Sequence, residues 1–263
     1  MSGKYWDKAW SLVEGCTPVS EGCEHCWSAN ITHRFRPEIS KLIESDIDRH
    51  RHIRLTDFDG KWTGYVNIRE DRLDIPLKTK KPTTFSIWND LFHEKVPIKY
   101  IGKALQIMKE CPQHIFLILT KRANRLEIAN EWWFTHEENM DKIPSNIYLG
   151  ITAENQQRLE ERLPYLLQVP GKRFISIEPL LGKINFRHPF DHCDSLKKLK
   201  KIDQIICGAE TGHHARPCNL DWIRSVRDQC ENAKIPFFLK QVNSKRERML
   251  DGREHNDLVW RKK

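Results

Sequence analysis

Residues 146–182, NIYLGITAENQQRLEERLPYLLQVPGKRFISIEPLLG, decide the fold, because they contain a strand, a helix and a second strand in succession. The two ends, NIYLGITAEN and RFISIEPLLG, are short and nearly continuous apolar runs, as in strands that are covered on both faces. The middle, NQQRLEERLPYLLQ, has apolar residues three and four positions apart, which is typical of an amphipathic helix. Two strands that are joined by a helix form a parallel β-α-β unit.

Similar strands recur along the chain at spacings of about 30 residues, which is the length of one β-α-β unit. They are TTFSIWND at 83–90, HIFLILTKR at 114–122, QIICGAETG at 204–212 and IPFFLKQ at 235–241. A first strand near residues 9–15, AWSLVEG, brings the total to six or seven repeats. We therefore predict an α/β fold with a complete or partial (β/α) barrel of the TIM type.

The barrel is predicted to be a single domain over residues 1–263, because no linker divides the chain. Residues 31–81 are predicted to be an insertion after the first strand, made of a helix, a loop and a short hairpin around DFDGKWTG. Residues 242–263 form a predicted C-terminal extension.

The composition is typical of a folded protein without a membrane span. Hydrophobic residues make up 39% and charged residues 30%, which excludes an extended disordered chain. No apolar run reaches the roughly 18 residues that cross a bilayer, and MSGKYWDKAW lacks the pattern of a signal peptide. We expect a cytoplasmic protein without a membrane partner. The net charge of +8 favours a phosphate-rich partner, such as a nucleotide or a nucleic acid.

Polar side chains follow the predicted strands where each strand ends. Because the carboxyl ends of parallel strands meet at one mouth of a barrel, where active sites of this architecture lie, we expect these side chains to form one site. The carboxylate of Glu178, between Ile177 and Pro179, must be paired or must face a cavity. The candidate residues are Ser86, Asn89, Asp90, Lys121, Arg122, Thr152, Glu154, Ser176, Glu178 and Glu210.

Three cysteines, Cys16, Cys23 and Cys26, lie close together in GCTPVSEGCEHCWSAN, residues 15–30. In a reducing compartment, clustered thiols of this kind indicate metal binding or catalysis and not disulfide bonds. Because Cys16 directly follows the first predicted strand, we expect the cysteine segment to form a loop over the polar strand ends.

Two metal centres are compatible with these cysteines. A [4Fe–4S] cluster that is held by three cysteines leaves one iron open for a substrate or a cofactor. Structural zinc needs a closed tetrahedron, so His25, His33 or a more distant residue would have to be the fourth ligand. The spacing of the three cysteines is compatible with either metal centre.

Eight segments carry a family resemblance: CTPVSEGCEHCW, SIWNDLFHEKVP, ILTKR, YLGITAENQ, RFISIEPLLG, CGAETGHHARP, WIRSVRDQC and PFFLKQ. In this order, from about Trp10 to Gln241, they resemble a phage-associated family of unknown function that is marked by the three-cysteine segment. That family is similar to radical S-adenosylmethionine (SAM) enzymes.

The resemblance implies that Cys16, Cys23 and Cys26 hold a [4Fe–4S] cluster whose open iron binds SAM. An electron from the cluster, after its reduction by an electron-donor partner, would then cleave SAM to methionine and a 5′-deoxyadenosyl radical, which abstracts hydrogen from a nucleotide or nucleic-acid component. The same resemblance assigns Ser86, Asn89 and Asp90 to the methionine end of SAM, Lys121 or Arg122 to its carboxylate, Thr152 and Glu154 to its ribose, and Glu178 and Glu210 to the ribose or the substrate.

A second function is a zinc-stabilised phage protein that binds nucleic acid without catalysis. In that case the three cysteines and a histidine only brace the N-terminal loop. The two functions differ in their metal, which makes metal analysis the observation that separates them.

Overall fold

The protein is represented by a computed structural model, in which residues 4–35, 55–136, 143–186, 199–212, 214–243 and 245–261 are described. A sheet of seven strands forms its centre. The strands are β1 (Lys8–Trp10), β2 (Thr84–Ile87), β3 (Ile115–Thr120), β4 (Ile147–Thr152), β5 (Lys172–Ile177), β6 (Gln204–Gly208) and β7 (Phe237–Gln241). They lie side by side in chain order, and every adjacent pair is parallel. The predicted parallel α/β architecture is confirmed.

Helices connect most of these strands. They are α1 (Trp27–Arg34), α2 (Ile75–Lys78), α3 (Ile98–Glu110), α4 (Glu127–His136), α5 (Gln156–Leu167) and α6 (Leu220–Ala233). Four 3₁₀ turns complete the described helical structure, at Glu21–Cys23, Glu70–Arg72, Ala123–Leu126 and Val259–Arg261. In the part of the chain that is described, no helix combines the length and the apolar character that a membrane span requires.

Helices α5 and α6 begin at asparagine caps, as their sequences favour. The side chain of Asn155 accepts a hydrogen bond from the backbone N–H of Arg158 at 3.0 Å. Asn219 likewise accepts from the N–H of Asp221 at 2.8 Å. Because Asn155 directly follows Glu154, this cap also fixes where the chain leaves the carboxyl end of β4.

Side chains alternate between the two faces of the sheet, so neighbours such as Phe116 and Leu117 enter different hydrophobic clusters. The outer face packs against the helices in the main core. The inner face carries a second cluster, made of Tyr5, Leu117, Tyr148, Phe174, Ile206, Phe238 and Leu258. The sheet therefore curls around its own small core as a half-barrel.

Both ends of the chain cover the inner face. Trp260 packs against the inner cluster, and its Nε1–H donates to the carbonyl oxygen of Tyr5 at 2.9 Å. An antiparallel bridge joins Phe238 of β7 to Asn256. Among the described residues no pairing joins β1 to β7, so a closed TIM barrel is not confirmed.

The predicted first strand, residues 9–15, is divided in two. Its beginning joins the main sheet as β1, whereas Val13–Glu14 pairs with Asn67–Ile68 in a separate antiparallel ribbon. The chain then turns at Gly15, which has φ +82°, and a Cβ there would lie 2.9 Å from Leu55 Cδ2. Glycine is therefore needed where the chain enters the cysteine segment.

The predicted insertion, 31–81, is described except for residues 36–54, and the part of the prediction that falls there lies outside the described residues. The expected hairpin is present, since an antiparallel bridge joins Thr56 to Trp62. In the C-terminal extension, 242–263, a second short ribbon pairs Met249–Leu250 with Arg253–Glu254.

Candidate functional site

The cysteine loop, which we define as residues 15–26, lies over the carboxyl ends of the parallel strands. It leads from the ribbon strand Val13–Glu14 into helix α1, and it includes the 3₁₀ turn Glu21–Cys23. Side chains that follow β3, β4 and β6 bond directly to this loop, and Asn89 after β2 bonds to the residues that flank it. The predicted position of the loop at the strand ends is therefore found in the structure.

Glu154 follows β4 and lies directly beneath the loop, where its side chain is fully buried. Ser20 Oγ donates to its Oε1 at 2.5 Å, and Arg162 donates to its Oε2 at 2.8 Å. Lys121 Nζ lies 3.8 Å from Oε1. A Cβ at Gly22 would lie 2.5 Å from Glu154 Cγ, so the loop can approach only because this residue is glycine. Protein groups thus engage both carboxylate oxygens of Glu154.

Glu21 ties the loop to the start of helix α5. Its carboxylate accepts hydrogen bonds from the Asn155 side chain and from Arg158, whose NH2 lies at 3.0 Å. Burial acts to raise the pKa of the Glu21 carboxyl, but hydrogen bonds from its own backbone, Arg158 and Asn155 outweigh burial and lower this pKa. The residue is therefore ionised at neutral pH and makes a charged anchor.

Glu210, after β6, holds the other side of the loop through Arg216. Arg216 donates to Glu210 Oε1 at 2.6 Å and to Oε2 at 2.9 Å, and it also reaches Glu24 at 2.8 Å and the carbonyl oxygen of Glu21 at 3.0 Å. His25 Nδ1 lies 3.0 Å from Glu210 Oε2. Burial raises the pKa of the Glu210 carboxyl, but the hydrogen bonds from Arg216 and His25 outweigh it, so this pKa is lowered.

Arg122, after β3, lies against the first cysteine. Its guanidinium donates to Glu94 at 2.8 Å, to Asp90 at 3.0 Å and to the carbonyl oxygen of Thr17 at 2.9 Å. Its NH1 also lies 3.8 Å from Cys16 Sγ. Burial, and next the Asp90 carboxylate, raise the pKa of the Cys16 thiol to about 12, although Arg122 opposes this shift. Arg122 is thus the cation that offsets negative charge at this sulfur.

Asn89, after β2, joins the two ends of the loop region. Its side chain accepts from Ser28 Oγ at 2.8 Å and donates to the carbonyl oxygen of Val13 at 2.9 Å. It has φ +58°, a left-handed conformation in which asparagine is several-fold enriched among non-glycine residues. Nearby, the buried His93 lies 3.0 Å from Thr17 Oγ1 through Nε2. Both residues position the backbone on either side of Cys16.

The three cysteines of the loop are free thiols, and each is partly exposed. Cys23 and Cys26 are close enough to Cys16 to contribute to its raised pKa, after burial, Asp90 and Arg122. Across the described ranges, no three His, Cys, Asp or Glu side chains form a group with metal-binding geometry. By chemistry, however, three unlinked thiols on one loop are the donors that iron–sulfur clusters and zinc take, so the residues present fit a soft metal centre.

The two histidines that were considered as zinc ligands have other partners. His25 Nδ1 lies 3.0 Å from Glu210 Oε2, the carboxylate oxygen to which Arg216 also donates. His33 Nδ1 lies 3.4 Å from Thr56 Oγ1. A fourth ligand from either residue would therefore have to be its Nε2 atom or would require that contact to break.

The remaining predicted residues lie on the inner face of the sheet. Ser86, Thr152 and Ser176 are placed there by their register with Leu117 and Ile206. They form part of the mouth without a hydrogen bond to the cysteine loop among the described residues. Among the described residues, Asp90 is joined to the loop by hydrogen bonds through Arg122, and Lys121 reaches the loop through Glu154.

Glu178 follows β5 on the same inner face. Ser176 Oγ donates to its Oε2 at 3.3 Å, and Lys240 Nζ lies 3.2 Å from its Oε1. Oε1 is buried, and the approach of Lys240 lacks hydrogen-bond geometry there, so this oxygen makes no hydrogen bond. A Cβ at Gly208 would lie 2.8 Å from Oε1, so glycine leaves room for the carboxylate. Glu178 is the predicted residue with an unsatisfied oxygen in the mouth.

Sequence reasoning missed three anchors of the loop, Arg158, Arg162 and Arg216. Arg162 had a detectable signal, since it lies on the apolar face of α5 between Leu159 and Leu166, where an unpaired charge would be costly. Arg158 and Arg216 had none, because their spacing is the same as that of ordinary surface arginines.

Comparison with known proteins extends this description. A family model described as "Protein of unknown function (DUF5131)" matches residues 2–262. No curated protein and no solved structure is similar enough to the chain to count as a match. The resemblance to a family of unknown function is confirmed, whereas its phage association and its similarity to radical SAM enzymes stay predictions. Since the match extends over nearly the whole chain, the protein belongs to the DUF5131 family.

Proposed function

We propose that this protein is a radical-SAM-type enzyme in which Cys16, Cys23 and Cys26 hold a [4Fe–4S] cluster. The observation that carries the proposal is the anchoring of three free thiols over the carboxyl ends of parallel strands, where active sites of β/α enzymes lie. When bound, such a cluster with an open iron supplies the electron that cleaves SAM to methionine and a 5′-deoxyadenosyl radical. An electron donor is the implied partner.

The cationic groups of the mouth suit the thiolates that hold a cluster and the carboxylate group of SAM. Arg122 lies 3.8 Å from Cys16 Sγ, so its charge stabilises thiolate at this ligand position. Lys121 is partly exposed and lies 3.8 Å from Glu154, which leaves its other hydrogen-bond donors available for the SAM carboxylate. The assignment of Lys121 follows the family resemblance, which gave Lys121 or Arg122 to the SAM carboxylate, whereas the role of Arg122 beside Cys16 comes from the contact in the structure.

The two glutamates of the mouth divide their roles in our proposal. Glu154 has both oxygens bound by Ser20 and Arg162, so we assign it to positioning the cysteine loop. Glu178 has a buried oxygen without a hydrogen bond, so it is the better acceptor for a ribose or substrate hydroxyl. The ribose role first considered for Glu154 is thereby transferred to Glu178.

The inner cluster supplies the dry floor that radical chemistry needs. Tyr5, Tyr148 and Phe174 fill the half-barrel below the polar strand ends. A radical formed above this floor is shielded on that side from water, which would otherwise compete with the substrate. In this proposal the substrate reaches the site from the mouth, above the polar strand ends.

The test is to reconstitute the protein without oxygen, reduce it in the presence of SAM, and separate the products by chromatography. We expect slow release of 5′-deoxyadenosine and methionine even without a substrate. Cys26→Ala should abolish this release, whereas Cys218→Ala, a partly exposed cysteine outside the loop, should retain it. A reconstituted wild-type protein that yields no deoxyadenosine, with or without nucleotides and nucleic acids, would overturn the enzyme proposal.

A further inference from the structure

A row of three tryptophans extends from the cysteine loop to the edge of the sheet. This tryptophan row consists of Trp27, Trp88 and Trp6. Trp27 directly follows Cys26, and its ring centroid lies 5.1 Å from that of Trp88. Trp88 in turn lies 6.4 Å from Trp6. Both contacts are edge-to-face, a geometry that aromatic rings favour.

The row follows the open side of the half-barrel. Trp6 precedes β1, which is the terminal strand of the sheet, and Trp88 follows β2. Trp88 points to the inner face, since side chains alternate and Ser86 two positions earlier lies there. The row therefore begins beside a proposed metal ligand and ends where no described strand closes the barrel.

Exposure distinguishes this row from an ordinary packing cluster. Trp27 is 46% exposed, and Trp6 and Trp88 are both partly exposed. Because nearly half of Trp27 is exposed, part of its indole ring is accessible to a ligand beside the site, and aromatic rings can take such a ligand by stacking. A flat, uncharged π-system is the partner that stacks best on such a face.

Positive charge accompanies the aromatic row. Lys4 Nζ lies 4.8 Å above the ring of Trp6, within cation–π distance. Lys8, on β1, extends from the same edge toward the outer face, where its Nζ lies 6.0 Å from the ring of Phe85. The acidic neighbour Asp7 is paired with Arg261 at 2.8 Å. The tryptophan row is thus accompanied by the ammonium group of Lys4, and the whole chain is basic.

We propose that the tryptophan row is a base-stacking site for single-stranded nucleic acid. Single-stranded nucleic acid would then be the substrate class of the proposed enzyme, and this part of the inference rests on the proposed function. Proteins that bind single strands combine aromatic rings for successive bases with basic groups for the phosphates. A lone nucleotide would need one ring in a closed pocket. Several rings along an open edge fit a strand that continues beyond the site.

The test is fluorescence anisotropy with 12-nucleotide labelled oligo(dA) and oligo(A), titrated with the reconstituted protein. We expect Trp27→Ala to weaken binding by about 5- to 100-fold, the range for loss of one base–aromatic stack. Trp27→Phe should retain most of the affinity. Tyr165→Ala removes an aromatic side chain of similar exposure on α5 and should bind like the wild type.

The charge arm compares Lys4→Ala with Lys99→Ala, an exposed lysine on α3, which packs on the outer face of the sheet. Only Lys4→Ala should reduce the salt dependence of binding, because it removes a phosphate contact. Equal affinities of wild type and Trp27→Ala for both oligonucleotides would overturn the proposal. So would AMP or a duplex that binds as tightly as the single strand.

The two proposals fail separately. If oligonucleotide binding depends on Trp27 but reduced protein releases no deoxyadenosine, the stacking site is supported and the radical-SAM function is not. If deoxyadenosine is released but neither oligonucleotide binds, the stacking proposal is overturned while the enzyme proposal stands.

Discussion

Single residues determine how closely the cysteine loop can approach the sheet. Gly22 lies against Glu154, which is buried and bonded on both oxygens. A side chain at position 22 has no free space, because the carboxylate cannot rotate without leaving the buried Arg162 unpaired. The position of the proposed metal ligands thus depends on the absence of one methyl group.

Gly22→Ala should therefore displace the loop. We expect a loss of about 1–3 kcal/mol in the free energy of unfolding, as for overpacking in a dense core, together with a lower iron content after reconstitution. Val19→Ala, a substitution of an exposed residue in the same loop, is the control and should keep the stability and the iron content of the wild type. Urea denaturation and iron analysis measure the two effects. A Gly22→Ala protein with wild-type iron content would contradict this packing argument.

His93 is expected to make stability depend on pH. It is buried beside Thr17, and burial, followed by the nearby Arg122 charge, lowers the pKa of its imidazole. As pH falls below the ordinary histidine pKa of about 6.5, the unfolded chain takes up a proton that folded His93 does not, so stability decreases.

Between pH 7 and pH 5, the free energy of unfolding should fall less steeply for the His93→Gln protein than for the wild type. The two slopes should differ by at most about 1.4 kcal/mol per pH unit. Denaturant midpoints across this range measure it. The comparison at pH 8, where the histidine is neutral in both states, shows the cost of the substitution itself. Parallel profiles for the two proteins would show that His93 does not titrate differently on folding.

At the scale of elements, the cysteine loop is held by separate charged anchors from different strands. Arg216 is one of these anchors, and it reaches Glu210, Glu24 and the backbone of Glu21 together. Its removal takes away the guanidinium that joins the loop to Glu210 after β6, but it leaves the His25–Glu210 contact and the Ser20–Glu154 attachment to β4 in place.

Arg216→Ala should consequently loosen one side of the loop without unfolding the sheet. We expect faster hydrogen exchange in residues 20–26 and unchanged exchange in β4 and β5. Arg224→Ala is the matched control, because Arg224 pairs with Asp221 and Asp251 away from the loop. Equal hydrogen exchange of residues 20–26 in the two variants would show that Arg216 does not hold the cysteine loop in place.

The elements also show what sequence can predict. Strand β3 falls within the apolar run 114–122, because strands that are covered on both faces are continuous in hydrophobicity. The division of residues 9–15 was not predictable, since Val13–Glu14 leaves the sheet to pair with the distant Asn67–Ile68. The parallel topology predicted that the polar residues at the strand ends lie close together. Their hydrogen-bond partners could not be predicted, because these lie on loops whose sequences have no periodic pattern.

At the scale of the whole molecule, both chain ends form the floor of the half-barrel. Leu258 and Trp260 pack on the inner cluster with Tyr5, in place of strands that would close a barrel. The packing of the C-terminal segment on the inner cluster was not evident in the sequence, because a short irregular segment has neither helical nor strand periodicity. The open edge beside β1 follows from the same arrangement.

Leu258→Ala should destabilise the whole protein. The side chain is buried in the inner cluster, so we expect a loss of about 2–5 kcal/mol in the free energy of unfolding. Met249→Ala, which truncates an exposed residue of the C-terminal ribbon, should change it by less than about 0.5 kcal/mol. Equal urea midpoints for the two variants would show that the C-terminal segment contributes nothing to the floor.

The iron, sulfide and zinc content of protein that is produced and purified without oxygen decides between the cluster and zinc. We expect a brown protein with about four irons and four sulfides per chain. Alanine at Cys16, Cys23 or Cys26 should remove the colour and the iron, and Cys218→Ala should keep both. A colourless wild-type protein with one zinc per chain would contradict the cluster and favour the zinc-stabilised binding protein.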